Sequence, residues 1–225
     1  MVDRAAVEEI RRAVRETGRE ITVVAAAKTR TKEEIDELMR LAPEFVLGEN
    51  RVQEFMSAYD PAYRWHFIGQ LQTNKVKYLA GKVELIHSLD RHELAREIER
   101  RSERAGVVQD CLVEVNMGSE ISKGGVEPGS AIEFIRELAA YPHIRVRGLM
   151  SVLPALGDTP ELRGLYADLA ALFEEAKKLP GQGEDIAFLS AGMTGDWHIA
   201  LEYGANIIRL GRAIFGERVY PAAAI

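Results

Sequence analysis

A short turn of small and hydroxyl-bearing residues is the most informative chemical feature of the sequence. Ser190, Gly192, Thr194 and Gly195 follow an apolar run and precede a helix that is expected to start near Asp196. Small residues let the backbone approach an anion, hydroxyl groups donate hydrogen bonds, and free N–H groups at a helix start favour negative charge. The turn therefore indicates a phosphate site. The alternative interpretation is an ordinary capped helix, with Thr194 or Asp196 as the cap.

Lys28 is the second candidate because it directly follows another apolar run. A partly desolvated lysine has a lowered pKa, and its amine is then a nucleophile toward aldehydes. The alternative is a lysine that extends its ammonium group from the edge of a sheet into water. Arg209 and Gly211 close a later apolar run, next to the phosphate-binding turn. A lysine combined with a phosphate site matches an aldehyde-bearing phosphate cofactor, of which pyridoxal phosphate (PLP) is the obvious one.

The elements that must position these residues alternate regularly along the chain. Short apolar runs predict strands at Ile21–Ala27, Phe45–Leu47, His66–Ile68, Glu84–His87, Cys111–Val115, Val146–Val152, Ala187–Leu189 and Asn206–Leu210. Amphipathic helical patterns lie between many of the runs, and one more helix, at about residues 2 to 17, precedes the first strand. This alternation over roughly 200 residues predicts an α/β fold, one (β/α)8 TIM barrel with an extra N-terminal helix.

An open, doubly wound sheet is the competing fold. It tends to place a glycine-rich phosphate loop after its first strand, whereas here the first strand ends in Ala-Ala-Lys-Thr-Arg. No long linker or change in composition divides the chain, so we expect residues 1–225 to form one domain. Barrels carry their functional groups at the carboxyl ends of the strands. Polar residues stand at most of these ends, among them Asn50, His87, Asn116, Ser151 and Ser190.

Composition limits the partners and the compartment. The 29 Lys and Arg residues against 35 Asp and Glu give a net charge of −6, which argues against nucleic acid as a partner. The one cysteine, Cys111, cannot form an internal disulfide or a cysteine-based zinc cluster. The five histidines show no metal-ligand spacing, so no metal site is expected. A charged N-terminus and the absence of a long apolar segment predict a cytoplasmic protein that does not span a membrane.

An ordered set of motifs covers about residues 21 to 216 of the chain. The motifs are Lys28-Thr29, Gly48-Glu49-Asn50-Arg51-Val52-Gln53-Glu54, Trp65-His66-Phe67-Ile68-Gly69-Gln70-Leu71-Gln72-Thr73-Asn74-Lys75, His87-Ser88-Leu89-Asp90, Val115-Asn116, Lys123-Gly124-Gly125, Gly148-Leu149-Met150, Leu189-Ser190-Ala191-Gly192-Met193-Thr194-Gly195-Asp196 and Arg209-Leu210-Gly211-Arg212-Ala213-Ile214-Phe215-Gly216. Each block alone is weak, but the ordered set is highly specific. It resembles the YggS/PROSC family of pyridoxal phosphate homeostasis proteins.

The resemblance implies a barrel like the N-terminal domain of alanine racemase, with PLP held as an internal aldimine on Lys28. It further implies that Ser190, Thr194 and Gly211 hold the phosphate, with help from the backbone near Gly192, and that Arg209 faces the pyridine nitrogen. The ring contacts that it implies are Asn50 and Met150. Two positions depart from the family pattern: Ala191 stands where methionine is common, and Thr194 where serine is common. A hydroxyl group is kept at position 194, so cofactor binding is expected to survive.

The leading hypothesis is a PLP-binding protein that stores, buffers or delivers the cofactor within the cell, without robust turnover and without an assigned catalytic residue. An arginine beside the pyridine nitrogen disfavours its protonation and makes the ring a poor electron sink. Nine residues follow Gly216, so we expect no second, racemase-like β-domain. The partners expected are PLP and PLP-dependent apoenzymes, and a monomer is expected. The alternatives are a slow PLP-dependent racemase or transaminase-like enzyme, and an aldolase-like barrel in which Lys28 reacts with a phosphorylated substrate.

Overall fold

A computed structural model describes residues 2–118 and 124–216 of the chain. Eight parallel strands form a closed barrel in chain order, and β1 pairs with β8 to close it. The strands are β1 (Thr22–Ala26), β2 (Val46–Glu49), β3 (Trp65–Phe67), β4 (Leu85–Leu89), β5 (Gln109–Glu114), β6 (Ile144–Met150), β7 (Phe188–Ser190) and β8 (Ile207–Leu210). The predicted TIM barrel is confirmed, and each predicted strand boundary lies within two residues of the observed one.

The helices form the outer layer. They are α1 (Arg4–Glu16), α2 (Lys32–Leu41), α3 (Val52–Ala58), α4 (His92–Ala105), α5 (Ala131–Leu138), α6 (Pro160–Ala176), α7 (Trp197–Glu202) and α8 (Arg212–Phe215). Short 3-10 helices cover Thr73–Tyr78, Pro128–Ser130 and Gly183–Asp185. Sequence patterns did not identify α3, α8 or the 3-10 helix between β3 and β4. These segments are only four to seven residues long, which is too short for a clear helical period.

The extra N-terminal helix begins at a side-chain cap and packs against α8. The carboxylate of Asp3 accepts a hydrogen bond from the N–H of Ala6 at 3.0 Å, which satisfies a free donor of the first turn. The N–H of Asp3 donates to the carbonyl of Ile214 at 2.8 Å, so the start of α1 is joined to α8. Val7 and Ile10 are the buried residues of α1.

Strand alternation separates two hydrophobic cores. The interior of the barrel is filled by inward-facing side chains, namely Val24, Val46, Ile68, Leu85, Leu112, Met150 and Ile207. The alternate residues, such as Val23 and Ala25, face outward and join the larger core beneath the helices. Lys28 follows Val24 and Ala26 at the same two-residue spacing, and it lines a cavity with Ala26 at the carboxyl end of β1. In the two described ranges, we find no helix with the length and apolarity that a bilayer crossing requires.

Candidate functional site

A cavity of about 390 Å³ lies at the carboxyl ends of the strands. Five of the predicted site residues line it, namely Lys28, Asn50, Thr194, Arg209 and Gly211. Apolar walls come from Ile68 and from the segment Val152–Leu156, which follows β6. The barrel therefore brings together residues from β1, β2, β7 and β8 that are far apart in the sequence.

Arg209 is held rigidly at the inner side of this cavity. Its side chain is buried, and Nη1 donates to Oγ of Ser190 at 2.6 Å while Nη2 donates to the carbonyl of Ser151 at 2.8 Å. Burial lowers the pKa of the guanidinium, and the nearby Tyr166 and Glu114 oppose that effect. Because an arginine stays protonated in proteins, the cavity contains a fixed positive charge.

The other three predicted residues lie outside the cavity lining. Ser190 is fully buried, and its hydroxyl is shared between Arg209 and His87. Met150 belongs to the hydrophobic cluster that fills the barrel. Gly192 packs against α7: a Cβ at this position would lie 2.6 Å from Cβ of Ala200, and the residue has φ +92°. These three residues therefore lie in the layer beneath the cavity wall and support the residues that line it.

A chain of polar contacts runs from Ser190 through the interior of the barrel. Nδ1 of His87 lies 3.0 Å from Oγ of Ser190, and Nε2 of His87 lies 3.0 Å from Nδ1 of His66. Nε2 of His66 lies 3.8 Å from the carboxylate of Glu84, just before β4 at the amino end of the barrel. Burial lowers the pKa of both imidazoles, so both rings are neutral at pH 7. Contacts with His66 and Arg64 lower the pKa of Glu84 to about 2.

Counting protons along this chain gives every contact a direction. The ionised carboxylate of Glu84 only accepts, and from 3.8 Å it favours a proton on Nε2 of His66, which leaves Nδ1 as an acceptor. His87 then donates from Nε2, and its Nδ1 accepts the hydroxyl proton of Ser190. The oxygen of Ser190 turns its lone pairs toward Arg209, which only donates. The network, with Glu84, His66, His87 and Ser190 in series, thus orients the partner of the cavity arginine.

The turn after β7 is held by side-chain contacts other than the expected helix cap. Asp196 stands at the start of α7, but its carboxylate accepts from the N–H of Met193 at 2.7 Å and from the hydroxyl of Tyr166 at 2.7 Å. It makes no capping bond to α7. The hydroxyl of Thr194 accepts from the N–H of Ala213 at 3.3 Å, which joins the turn to α8. The two turns after β7 and β8 therefore form one wall of the cavity.

Two cavity-lining arginines were not identified from the sequence. Arg30 and Arg212 both line the cavity, so three arginines, with Arg209, contribute to its wall. The guanidinium of Arg30 lies 5.0 Å from the ring centroid of Phe215. The available signals were the position of Arg30 two residues after Lys28 and that of Arg212 directly after Gly211. Lys123, which the motif comparison included, lies outside the described residues.

Fold and site together define a (β/α)8 barrel with a cationic, lysine-containing cavity at the carboxyl ends of its strands. A family model described as alanine racemase, N-terminal domain, matches residues 2–219. The chain is 43% identical over 220 residues to the pyridoxal phosphate homeostasis protein of Aquifex aeolicus, with 95% of each chain covered. It is 35% identical over 210 residues to the protein of that name from Vibrio cholerae, with 89% of this chain and 86% of the relative covered.

Solved structures of two proteins have the same fold as this chain over most of its length. PipY of Synechococcus elongatus, solved with PLP bound, has a TM-score of 0.83 and 25% identity, with 95% of this chain and 99% of that chain covered. The crystal structure of an unknown protein from Bifidobacterium adolescentis has a TM-score of 0.83 and 31% identity, with 94% and 92% covered. The chain belongs to the alanine racemase N-terminal domain family and, within it, to the pyridoxal phosphate homeostasis proteins. The family resemblance predicted from the motifs is confirmed.

Proposed function

We propose that this protein binds PLP in the cavity, anchors it covalently on Lys28, and stores, buffers or delivers it in the cytoplasm. The observation that carries the proposal is that Lys28 lines the same cationic cavity as Thr194 and Gly211, which lie in the turns after β7 and β8. The homeostasis name of the relatives and the PLP bound to PipY support it.

The residues present fit this cofactor in size and charge. A cavity of about 390 Å³ lies in the range of ordinary small-molecule sites. The positive charge of the three lining arginines suits a phosphorylated anion, and the apolar wall near Ile68 and Val152 suits a flat ring. In this proposal Thr194 and Gly211 hold the phosphate and Asn50 contacts the ring. Ser190, Gly192 and Met150 lie outside the cavity lining and support the residues that form it.

PLP supplies, when bound, an aldehyde carbon that condenses with a primary amine and a ring that accepts electrons. Lys28 provides the amine from the carboxyl end of β1. Arg209 places a fixed cation where the resemblance puts the pyridine nitrogen, so protonation of that nitrogen is disfavoured. The chain's own residues therefore favour holding the cofactor over stabilising a carbanion. This is why we propose cofactor handling in preference to a racemase or transaminase-like enzyme.

The test is an absorbance spectrum of the purified protein after addition of PLP, followed by borohydride reduction and peptide mapping. We expect a new visible band, with the reduced adduct on Lys28. Lys28→Ala should lose the band, whereas Lys32→Ala should keep it, because Lys32 is an exposed residue paired with Asp36 at 3.0 Å. A protein that stays colourless would overturn the proposal in favour of an aldolase-like barrel. Rapid turnover of amino acids would instead favour the enzyme.

The proposal extends to the molecular organisation and the partners. We propose that residues 1–225 act as one domain and as a monomer, and that PLP-dependent apoenzymes receive the cofactor. In the presence of a trap that consumes free PLP, mixing the loaded protein with such an apoenzyme should restore the activity of the apoenzyme. The same total amount of free PLP, added with the same trap, should restore that activity more slowly. Equal rates would contradict direct delivery. Sedimentation of the loaded protein measures its mass in solution. A mass near the 25.1 kDa of one chain is expected, and twice that mass would contradict the monomer.

A further inference from the structure

A second cavity adjoins the first at the carboxyl ends of the strands. It has a volume of about 270 Å³ and shares Asn50, Ile68 and Val152 with the larger cavity. Because the same three side chains line both spaces, a molecule in one cavity lies next to a molecule in the other. The main cavity already has a proposed occupant, and nothing described so far accounts for the second.

Among the described residues that line this second cavity, Glu114 is the charged one. It is the last residue of β5, and only 7% of its surface is exposed. Its Oε2 is buried and has no hydrogen-bond partner among the residues that the structure describes. A buried carboxylate without a partner is strongly unfavourable, so the site as it stands lacks a donor or a cation.

Among the described residues, the neighbouring charges do not supply that partner. Arg209 is directed to Ser190 and Ser151. Asp90 adds a second negative charge near Glu114, and its own carboxylate is paired with Arg91 at 2.5 Å. Within the described ranges, no three metal-ligating side chains come together, so these residues do not form a metal site. The space therefore suits a compact organic cation.

We propose that the second cavity binds the ammonium group of a primary amine, an amino acid or a lysine side chain, that takes PLP from the neighbouring site. This rests on the proposed function for the identity of the neighbour. An ammonium group has three N–H donors, which suit the carboxylate of Glu114 and the amide side chains of Asn50 and Gln70, two further polar residues that line the same cavity. Ile68 and Val152 provide an apolar surface for the carbon chain.

Glu114 also has a way to make the bound amine reactive. The proton passes from the ammonium nitrogen to a carboxylate oxygen of Glu114, which leaves a neutral amine with a free electron pair and a neutral carboxylic acid. No other bond changes in this step. Burial and the charge of Asp90 raise the pKa of Glu114 to about 7, with Arg209 opposing them. A group that titrates near neutral pH is suited to accept and return a proton.

The experiment is a titration of the full-length, PLP-free protein with ethylammonium, followed by the backbone ¹⁵N–¹H resonances of Val115 and Gly124, two residues of the cavity wall. Ethanol is the uncharged control ligand. We expect saturable shifts with ethylammonium and none with ethanol. Glu114→Gln keeps the shape of the side chain and should weaken the apparent affinity at least about ten-fold. Glu133→Gln removes an exposed carboxylate of α5 and should leave binding unchanged.

A second measurement keeps the proposal testable if Glu114→Gln fails to fold. In the wild-type protein, ethylammonium binding should strengthen between about pH 5 and about pH 8 as Glu114 ionises, because the ligand stays protonated over that range. Absent or non-saturable shifts, or equal affinity in the folded Glu114→Gln variant, would overturn the proposal. The PLP absorbance band is measured separately on the same protein. A coloured protein without amine binding contradicts only this inference, and a colourless protein contradicts the proposed function.

Discussion

Nε2 of His87 lies 3.0 Å from Nδ1 of His66, and both rings are buried inside the barrel. Through this pair, Glu84 at the amino end of the barrel is connected to Ser190 and to the cavity residue Arg209 at the carboxyl end. The relationship gives two histidines an electrostatic role that their positions in the sequence did not reveal. It also means that a surface carboxylate influences the orientation of a hydroxyl at the base of the site.

The tautomers of His66 and His87 provide the first prediction. Both rings should carry their proton on Nε2 at neutral pH, because the carboxylate of Glu84 only accepts and Arg209 only donates. Long-range ¹⁵N–¹H correlation of the imidazoles measures this directly. Glu84→Gln should weaken the preference, since an amide can either donate or accept. A wild-type protein with either ring protonated on Nδ1 would contradict the proposed direction of the network.

Gly192 should be far less tolerant of substitution than its neighbour in the same turn. A Cβ there would lie 2.9 Å from Cα of Trp197 and 2.6 Å from Cβ of Ala200, in a backbone conformation with φ +92°. We expect Gly192→Ala to lower the free energy of unfolding by about 2–4 kcal/mol. Gly195→Ala is the matched control, because nothing lies within 4 Å of its added Cβ. Denaturant unfolding measures both variants, and equal losses would contradict the packing argument.

The hydroxyl of Thr194 should matter for PLP affinity more than for the fold. Thr194→Val keeps the shape of the side chain but removes the acceptor for the N–H of Ala213, together with the hydroxyl proposed to hold the phosphate. We expect PLP to dissociate about ten-fold more readily, in line with the loss of a hydrogen bond to a charged group. Thr194→Ser should retain most of the affinity. The measurement is equilibrium titration by absorbance, in which an unchanged Val variant would argue against a phosphate contact at this residue.

The carboxyl group of Glu49 should make stability depend on pH. Burial and the charge of Glu54 raise its pKa from the ordinary 4.5 to about 7. The folded state therefore holds this proton more tightly than the unfolded state does. Its contribution to stability is complete below about pH 4.5 and is lost as the pH rises to about 7.

Glu49→Gln does not ionise, so it should match the wild type in acid and exceed it above neutral pH. The expected gain in the free energy of unfolding is about 2–3 kcal/mol. Glu20→Gln, at an exposed loop position, is the control for the change in net charge. Denaturant unfolding at a series of pH values gives the comparison. A constant difference between Glu49→Gln and the wild type at all pH values would exclude the titration of this group.

The sequence alone determined the fold class, because each strand and most helices are encoded by patterns among neighbouring residues. The run before Lys28 and the small-residue turn at Ser190–Asp196 are local in this sense, and chemical reasoning identified both. The short α3 helix was missed since seven residues do not establish a period.

Only the tertiary structure decided which of these residues share a cavity. His87 and Ser190 are 103 positions apart, and their contact exists because closure of the barrel brings inward-facing side chains of β4 and β7 together across its interior. The same closure buries Ser190 beneath Arg209 and places Arg30 and Arg212 in the cavity wall. It also leaves Oε2 of Glu114, beside a second cavity, without a hydrogen-bond partner among the described residues. Such contacts depend on three-dimensional packing between distant segments, and no local pattern encodes them.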